Sequence, residues 1–147
     1  PCAAAIDMVK VVDELASQQD MVNMATAVAD NTPLTTAAKK LKKSDGDMAM
    51  PLKRTQDILA WLGNHRQPHQ VLCGFSMETE NLLENSRAKL QKKGCQMICA
   101  NSIAQEGAGF GTDTNILTLI TPKKTEALPI MTKEQAAGEI LTRLIKL

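Results

Sequence analysis

The clearest alternation of apolar and polar positions lies in the middle of the chain. An apolar run over 71–75 is followed by polar residues, by a helical pattern that starts at Leu82, and by a second apolar run over 97–100. Lys92 and Lys93 precede Gly94, as is typical of a helix C-terminus. The pattern predicts a βαβ unit, whose two strands are parallel and whose ligands bind at the strands' C-terminal ends.

Weaker patterns on both sides predict the remaining elements. On the N-terminal side these are a helix over 3–17, a buried parallel strand over 21–28, a loop over 30–33, and a short helix that Thr55 and Asp57 cap and Gly63 ends. On the C-terminal side they are a loop over 101–113, strands over 116–121 and 126–130, and a helix over 133–147 with a capping box at Thr132. Together they predict an α/β domain with helices on both faces of the sheet.

The segment 39–52 is charged and carries little apolar surface. Four lysines in 39–43 surround Leu41, and Asp45-Gly46 is a hairpin signal. We predict a protruding two-stranded arm here. Because such an arm is only marginally stable alone, we expect it to pair with a second subunit in a homodimer.

Composition excludes several classes of partner. The 147 residues predict one domain, and 17 Lys and Arg against 16 Asp and Glu leave a net charge of only +1. An aromatic content of 2% excludes the stacking platforms of single-strand binders. We therefore expect no nucleic-acid or membrane partner and, in the absence of a signal peptide or membrane-length apolar run, a cytoplasmic protein.

The cysteines predict buried thiols rather than a metal site. Cys73 and Cys99 lie within apolar runs, as small hydrophobes do in reduced compartments. Cys95 and Cys99 lack histidines at zinc-ligand spacing, so no metal ligands are predicted. The Gly-rich segment 107–111 leads into a strand and not a helix, which disfavours a Rossmann oxidoreductase.

Five stretches in order resemble one family. They are AVAD followed by Pro33, KLKK at 40–43, DIL at 57–59, the long stretch GFSMETENLLENSRAKLQKKG, and AN at 100–101 with GAGFGTDTN behind it. The set resembles the phosphopantothenate-cysteine ligase (phosphopantothenoylcysteine synthetase) domain of bacterial coenzyme A biosynthesis over essentially the whole chain.

The resemblance implies a fold, a reaction and partners. The fold is Rossmann-like, with three αβα layers, a largely parallel sheet and a β-hairpin dimerisation arm. The reaction joins 4'-phosphopantothenate to cysteine through an acyl-cytidylate at the expense of CTP, with Mg²⁺. The implied partners are these substrates, a second copy of the chain, and a flavin-dependent phosphopantothenoylcysteine decarboxylase.

The resemblance also implies roles for single residues. Nucleotide contacts are implied at Met24, Ala25, Thr26, Asp30, Lys40, Gln56, Asp57, Ile58, Leu59, Phe75, Lys89 and Lys93. Lys40 is the implied catalytic cation at the α-phosphate, where positive charge lowers the barrier to carboxylate attack. Asn101, at a strand end, is predicted either to contact the acyl substrate or to hold the loop that follows. Glu78 and Glu80 are interpreted as charges at a helix N-terminus.

The chain departs from the family in two ways. It has Asn31 and Thr32 where the family usually has an aromatic and a basic residue, and the family's Gly-rich phosphate loop and catalytic asparagine lie upstream of Pro1. We therefore expect 1–147 to be an N-terminally incomplete ligase domain that alone binds nucleotide weakly and completes no turnover. The alternative is a non-catalytic nucleotide-binding or dimerisation module on the same scaffold.

Overall fold

A computed structural model describes residues 2, 4–37, 39–40, 46–102 and 113–147. Its helices are α1 (Ala5–Ala16), α2 (Ile58–His65), α3 (Leu82–Lys93) and α4 (Lys133–Leu144). Its strands are β1 (Met21–Met24), β2 (Asn31–Pro33), β3 (Leu52–Arg54), β4 (Val71–Glu78), β5 (Met97–Ser102), β6 (Thr114–Asn115), β7 (Leu117–Ile120), β8 (Thr125–Ala127) and β9 (Met131–Thr132).

Five of the strands form one mixed sheet in the order β1-β4-β5-β7-β8. The pairs β1–β4 and β4–β5 are parallel, which confirms the βαβ unit of β4, α3 and β5. The pairs β5–β7 and β7–β8 are antiparallel, so the prediction of a largely parallel sheet is wrong. A tight turn, in which the Thr121 amide donates to the Lys124 carbonyl at 2.8 Å, joins β7 to β8 and imposes their antiparallel pairing.

Helices cover both faces of this sheet. On one face, Leu72 and Ile98 pack with α1, α2 and α3 in a cluster that includes Leu62 and Leu90. The other face packs on α4 in a second cluster of buried residues, which comprises Cys73, Met97, Cys99, Leu117, Leu119, Leu128, Ala136, Ile140 and Leu144. The predicted α/β arrangement with helices on both faces is confirmed.

The helix ends follow local chemistry with one exception. Gly94 adopts a left-handed conformation with φ 63° and closes α3, and Thr132 forms the predicted capping box with Gln135. The prediction that Gly63 ends the short helix is wrong, because α2 continues to His65. A Cβ at Gly63 would lie 2.8 Å from the Lys93 carbonyl carbon, so the glycine is needed for close helix packing instead.

A small two-stranded ribbon corrects two predictions. The strand expected over 21–28 stops at Met24, and the loop expected over 30–33 is β2, which pairs antiparallel with β3. Within the expected arm, residues 41–45 lie outside the described part of the chain. The described residues 39–40 and 46–51 form no strand. Strand β2 precedes the predicted arm, and strand β3 begins at its last residue, Leu52.

Within the described ranges, none of the helices combines the length and the apolar character that crossing a bilayer requires.

Candidate functional site

A cavity of about 280 Å³ opens at the C-terminal ends of β1 and β4. Parallel neighbours present these ends at the same edge of a sheet, where α/β proteins bind ligands. The cavity is lined by Met24, Thr26, Val28, Asp30, Thr55, Gln56, Asp57, Ile58, Leu59, Phe75, Lys89 and Lys93. These residues come from β1 and the segment after it, from the first turn of α2 and the segment leading into it, and from β4 and α3.

One wall of the cavity is apolar. Leu59 enters it from the first turn of α2 and packs against β4 at Gly74, where a Cβ would also meet Ile98 at 3.1 Å. Phe75 follows Gly74 and also lines the cavity, but its side chain packs against the cluster on the α4 side of the sheet. Apolar side chains with a few convergent polar groups are typical of a site for a small ligand.

Charged residues of the cavity link two helices. Asp57 is the N-cap of α2 and accepts a hydrogen bond from the Ala60 amide at 3.0 Å. The same carboxylate forms an ion pair with Lys93 in the last turn of α3. The Lys93 side chain is only 15% exposed, so its ammonium is fixed at the cavity by this pair.

The second lysine of the cavity has a different set of partners. Lys89 donates to the Ser76 hydroxyl at 3.2 Å and lies 3.6 Å from a carboxylate oxygen of Glu78. Ser76 and Glu78 were not predicted as site residues. The interpretation of Glu78 as a charge at the start of α3 is wrong. Glu78 is the last residue of β4 and is paired with a lysine in the interior of that helix.

Thr55, which the sequence predicted only as a helix cap, also shapes the cavity. That prediction is wrong, because Asp57 is the N-cap of α2. The Thr55 hydroxyl donates to the Ala29 carbonyl at 2.6 Å and fixes the ribbon beside the strand end. Thr55, Asp30, Asp57 and Lys93 line a second, more polar cavity of about 430 Å³, whose wall includes Arg54. No periodic pattern marked Thr55, because the segment between β3 and α2 is irregular.

The structure brings most of the predicted nucleotide contacts to the one cavity. Ala25 and Lys40 are the exceptions among them, and Asn101, the predicted contact of the acyl substrate, does not line the cavity either. Ala25 and Lys40 are exposed. Asn101 is only 7% exposed in β5, and among the residues that the structure describes its Oδ1 atom has no hydrogen-bond partner. The roles of all these residues stay predictions.

Three of the four cysteines are buried, as expected of thiols that act as small hydrophobes. The Cys73 and Cys99 sulfurs lie 3.6 Å apart in the core beneath the site. The hydrogen bond with Cys99 and the burial of the thiol raise the pKa of Cys73 well above its usual range. Burial raises the pKa of Cys95 to about 12. In the described residues, no group of three His, Cys, Asp or Glu side chains is placed to hold a metal ion.

Comparison with known proteins gives the chain its family. The profile described as the DNA/pantothenate metabolism flavoprotein C-terminal domain matches residues 1–147. The coenzyme A biosynthesis bifunctional protein CoaBC of Bacillus subtilis is 41% identical over 148 residues, which is 100% of this chain and 36% of that protein. A cysteine/cysteine sulfinic acid decarboxylase from an unknown prokaryotic organism is 37% identical over 98% of this chain and 40% of its own length. The chain thus spans well under half the length of these relatives.

Solved structures agree with the sequence comparison. The crystal structure of the C-terminal domain of CoaBC superposes with a TM-score of 0.74 at 30% identity, over 95% of this chain and 60% of that one. A Cab2 variant in complex with phosphopantothenate-cysteine superposes with a TM-score of 0.75 at 15% identity, over 99% of this chain and 52% of that one. At that low identity the likeness to Cab2 establishes the fold alone.

Proposed function

Because the chain belongs to the DNA/pantothenate metabolism flavoprotein C-terminal domain family, the phosphopantothenate-cysteine ligase part of CoaBC, we propose that its cavity binds CTP for the ligation of 4'-phosphopantothenate to cysteine. One observation supports this proposal most directly. The resemblance implies nucleotide contacts in separate stretches of the chain, and most of these residues line one cavity at the C-terminal ends of parallel strands.

The lining residues suit the two halves of a nucleotide. Leu59 and Phe75 offer apolar surface to the base, and Asp30 offers a carboxylate to ribose hydroxyls. Lys89 and Lys93 offer ammonium donors to the phosphates. Both oxygens of Asp57 are engaged, by the Ala60 amide and by Lys93, so of the two lining carboxylates Asp30 is the one that fits a Mg²⁺ held mainly by the nucleotide phosphates.

The proposed reaction has two displacement steps. The carboxylate of 4'-phosphopantothenate attacks the α-phosphorus of CTP, and pyrophosphate leaves with the electron pair of the broken P–O bond. The neutral amine of cysteine then attacks the acyl carbon, the bond between that carbon and the phosphate oxygen breaks, CMP leaves with the electron pair, and the amine nitrogen loses a proton to water. Lys40 is the proposed cation for the first step, and Asn101 the proposed contact of the acyl substrate.

Lys40 does not line the cavity of its own chain. We therefore assign it to the nucleotide of a second copy, with the arm over 39–52 as the dimer contact in a cytoplasmic, Rossmann-like homodimer. The ligase domain occupies 1–147 in this proposal and functions beside the flavin-dependent decarboxylase part. A charge that acts mainly in the transition state changes rate more than affinity, so Lys40→Ala should slow pyrophosphate release more than it weakens CTP binding.

The experiment is a titration of the ¹⁵N-labelled chain with CTP and MgCl₂, read by amide chemical shifts, which report affinities into the millimolar range. We expect shifts around Phe75, Asp57 and Lys93. Lys93→Met should weaken CTP binding about tenfold or more, because a charge-assisted hydrogen bond to phosphate is lost. Lys133→Met, an equal charge change on α4, is the control and should leave the affinity unchanged. Shifts confined to other surfaces, or equal effects of both variants, would refute the nucleotide site.

One observation favours the alternative, a non-catalytic module on the same scaffold. The relative named as a cysteine/cysteine sulfinic acid decarboxylase shares 37% identity over nearly the whole chain, and its name mentions no ligase. Pyrophosphate release with CTP, 4'-phosphopantothenate and cysteine separates the two functions. The assay is run on the chain joined to the upstream segment of the Bacillus subtilis relative. If this fusion binds CTP but releases no pyrophosphate, the chain is a binding module.

A further inference from the structure

The end of β4 carries a polar network that the proposed reaction does not use. Ser76 is 1% exposed, and its hydroxyl donates to Oε1 of Glu78 at 2.7 Å. Lys89 donates to the same hydroxyl at 3.2 Å, and Asn85 donates to Oε2 of Glu78 at 3.2 Å. Both oxygens of the Glu78 carboxylate are therefore engaged, and the Lys89 ammonium faces two polar atoms at once.

Regular backbone geometry produces this arrangement. Ser76 and Glu78 are two residues apart on β4, so their side chains lie on the same face of the sheet. Asn85 and Lys89 are four apart on α3, so their side chains lie on the same face of the helix. The helix packs on that face of the strand, so two strand side chains meet two helix side chains at the strand's carboxyl end.

Only one member of the network reaches the cavity. Lys89 lines it, whereas Ser76, Glu78 and Asn85 do not. Lys89 thus stands between the carboxylate and any ligand. The Lys89 side chain is 33% exposed and that of Glu78 is 20% exposed, so water competes less for this pair than for an ion pair on the open surface. Contacts of Ser76 and Glu78 can therefore influence a ligand only through Lys89, whereas the charge of Glu78 can also act on a ligand directly.

We propose that Ser76 and Glu78 are positioning residues that hold the Lys89 ammonium at the cavity wall, ready to donate to a nucleotide phosphate. An ammonium has three donors, of which one is taken by Ser76 and one faces Glu78, so the third remains for a ligand. Fixing a long, flexible side chain before the ligand arrives lowers the entropy cost of binding. The inference rests on the proposed function, because it takes the cavity to be a nucleotide site.

Two effects of Glu78 on affinity have opposite signs. Its negative charge repels phosphate, and its contacts fix Lys89. We expect the second effect to prevail, since the carboxylate lies behind Lys89 and outside the cavity lining. Glu78→Gln should therefore weaken CTP binding about five- to tenfold instead of strengthening it. Ser76→Ala removes the bridging hydroxyl without changing any charge and should weaken binding in the same direction.

The decisive experiment is a double-mutant cycle on CTP affinity, measured by chemical-shift titration of the full chain with MgCl₂. Glu78→Gln is compared alone and in the Lys89→Met background, with Glu80→Gln as the control, an exposed carboxylate two residues further along. We expect Glu78→Gln to weaken binding in the wild-type background and to cause no loss of affinity once Lys89 is replaced, because only the repulsion of phosphate by Glu78 is then removed. An unchanged or tighter affinity for Glu78→Gln in the wild-type background, or an equal loss in both backgrounds, overturns the proposal.

A second readout needs no nucleotide. Acetic anhydride acetylates free amines, and mass spectrometry gives the rate at each lysine. We expect Lys89 to react more slowly than exposed Lys92 in the wild type, and to approach the rate of Lys92 in Glu78→Gln or Ser76→Ala. Equal rates at Lys89 in all three proteins overturn the positioning role.

The CTP titrations also separate failure of the site from failure of the positioning role. If Lys89→Met itself leaves CTP binding unchanged, the proposed nucleotide site fails. If Lys89→Met weakens binding but Glu78→Gln does not, only the positioning role fails.

Discussion

The contact between α2 and α3 leaves no room for a side chain at Gly63. A Cβ at this position would overlap the carbonyl oxygen of Lys93, lie 2.8 Å from its carbonyl carbon and lie 3.3 Å from the Cα of Gly94. All three obstacles are backbone atoms, so no rotation of a neighbouring side chain relieves the overlap. We predict that Gly63→Ala forces α2 and α3 apart and destabilises the protein.

The size of the effect follows from two opposing terms. Overpacking in a well-packed region costs about 1–3 kcal/mol, and rigid backbone obstacles place this site at the upper end. Replacing glycine by alanine within a helix returns about 1 kcal/mol of helix propensity. The net expectation is a loss of about 2 kcal/mol in the free energy of unfolding, or a melting temperature lower by about 4–8 °C for a chain of this size.

Gly138→Ala is the matched control, since Gly138 lies in the interior of α4 with nothing within 4 Å of a Cβ. Here only the propensity term acts, so we expect a gain of up to about 1 kcal/mol. Urea and thermal unfolding of both variants measure the difference. If Gly63→Ala is as stable as the wild type, or gains stability as Gly138→Ala does, the close approach of the two helices does not constrain the fold and our reasoning is wrong.

Two further predictions concern titratable groups outside the cavity. Native protein at pH 8 should show one fast-reacting thiol with Ellman's reagent, the exposed Cys2. The buried thiols of Cys73, Cys95 and Cys99 should react only in denaturant, because burial shields all three from the reagent and also raises the pKa of Cys73 and Cys95. A second fast thiol would contradict this. Hydrogen bonds from Arg143 and Lys124 lower the pKa of Glu126 from an ordinary value of 4.5 to about 2. The ionised carboxylate therefore contributes stability that is fully present above pH 4.5 and is lost as the pH falls through about 2. Glu126→Gln should therefore flatten the acid loss of stability in that window, measured as the urea midpoint against pH, and an unchanged pH profile would count against the ion pair.

The elements that the sequence predicted well are those with strong local signals. The apolar runs of β4 and β5 are buried on both faces, and α3 between them ends on a glycine that takes the left-handed conformation. In such elements the local preference and the final burial agree, so neighbouring residues suffice to identify them. The capping box of α4 belongs to the same class.

The elements that the sequence missed depend on distant partners. β2 and β3 are largely exposed, and Thr32 is their only half-buried residue, so neither strand shows alternating apolar positions. The apolar run of β7 predicts a strand but not its direction, which is set by pairing with β5 and with β8. Gly63 predicts a helix end from its neighbours alone, whereas it allows the close approach of α2 to the end of α3, thirty residues further along the chain.

The candidate site shows the same division between local and distant information. Lys89 and Lys93 are four apart, which predicts that both face one ligand, and both do line one cavity. Their spacing says nothing of the carboxylates that hold them, because Glu78 and Asp57 come from β4 and from the start of α2. A phosphate that binds Lys93 must share it with Asp57, a residue that also caps α2, whereas the Glu78 carboxylate lies behind Lys89 and leaves that ammonium open to the cavity. The two lysines are therefore not equivalent: binding at Lys93 is coupled to the start of α2, and through the contact of Gly63 with Lys93 to the packing of α2 on α3.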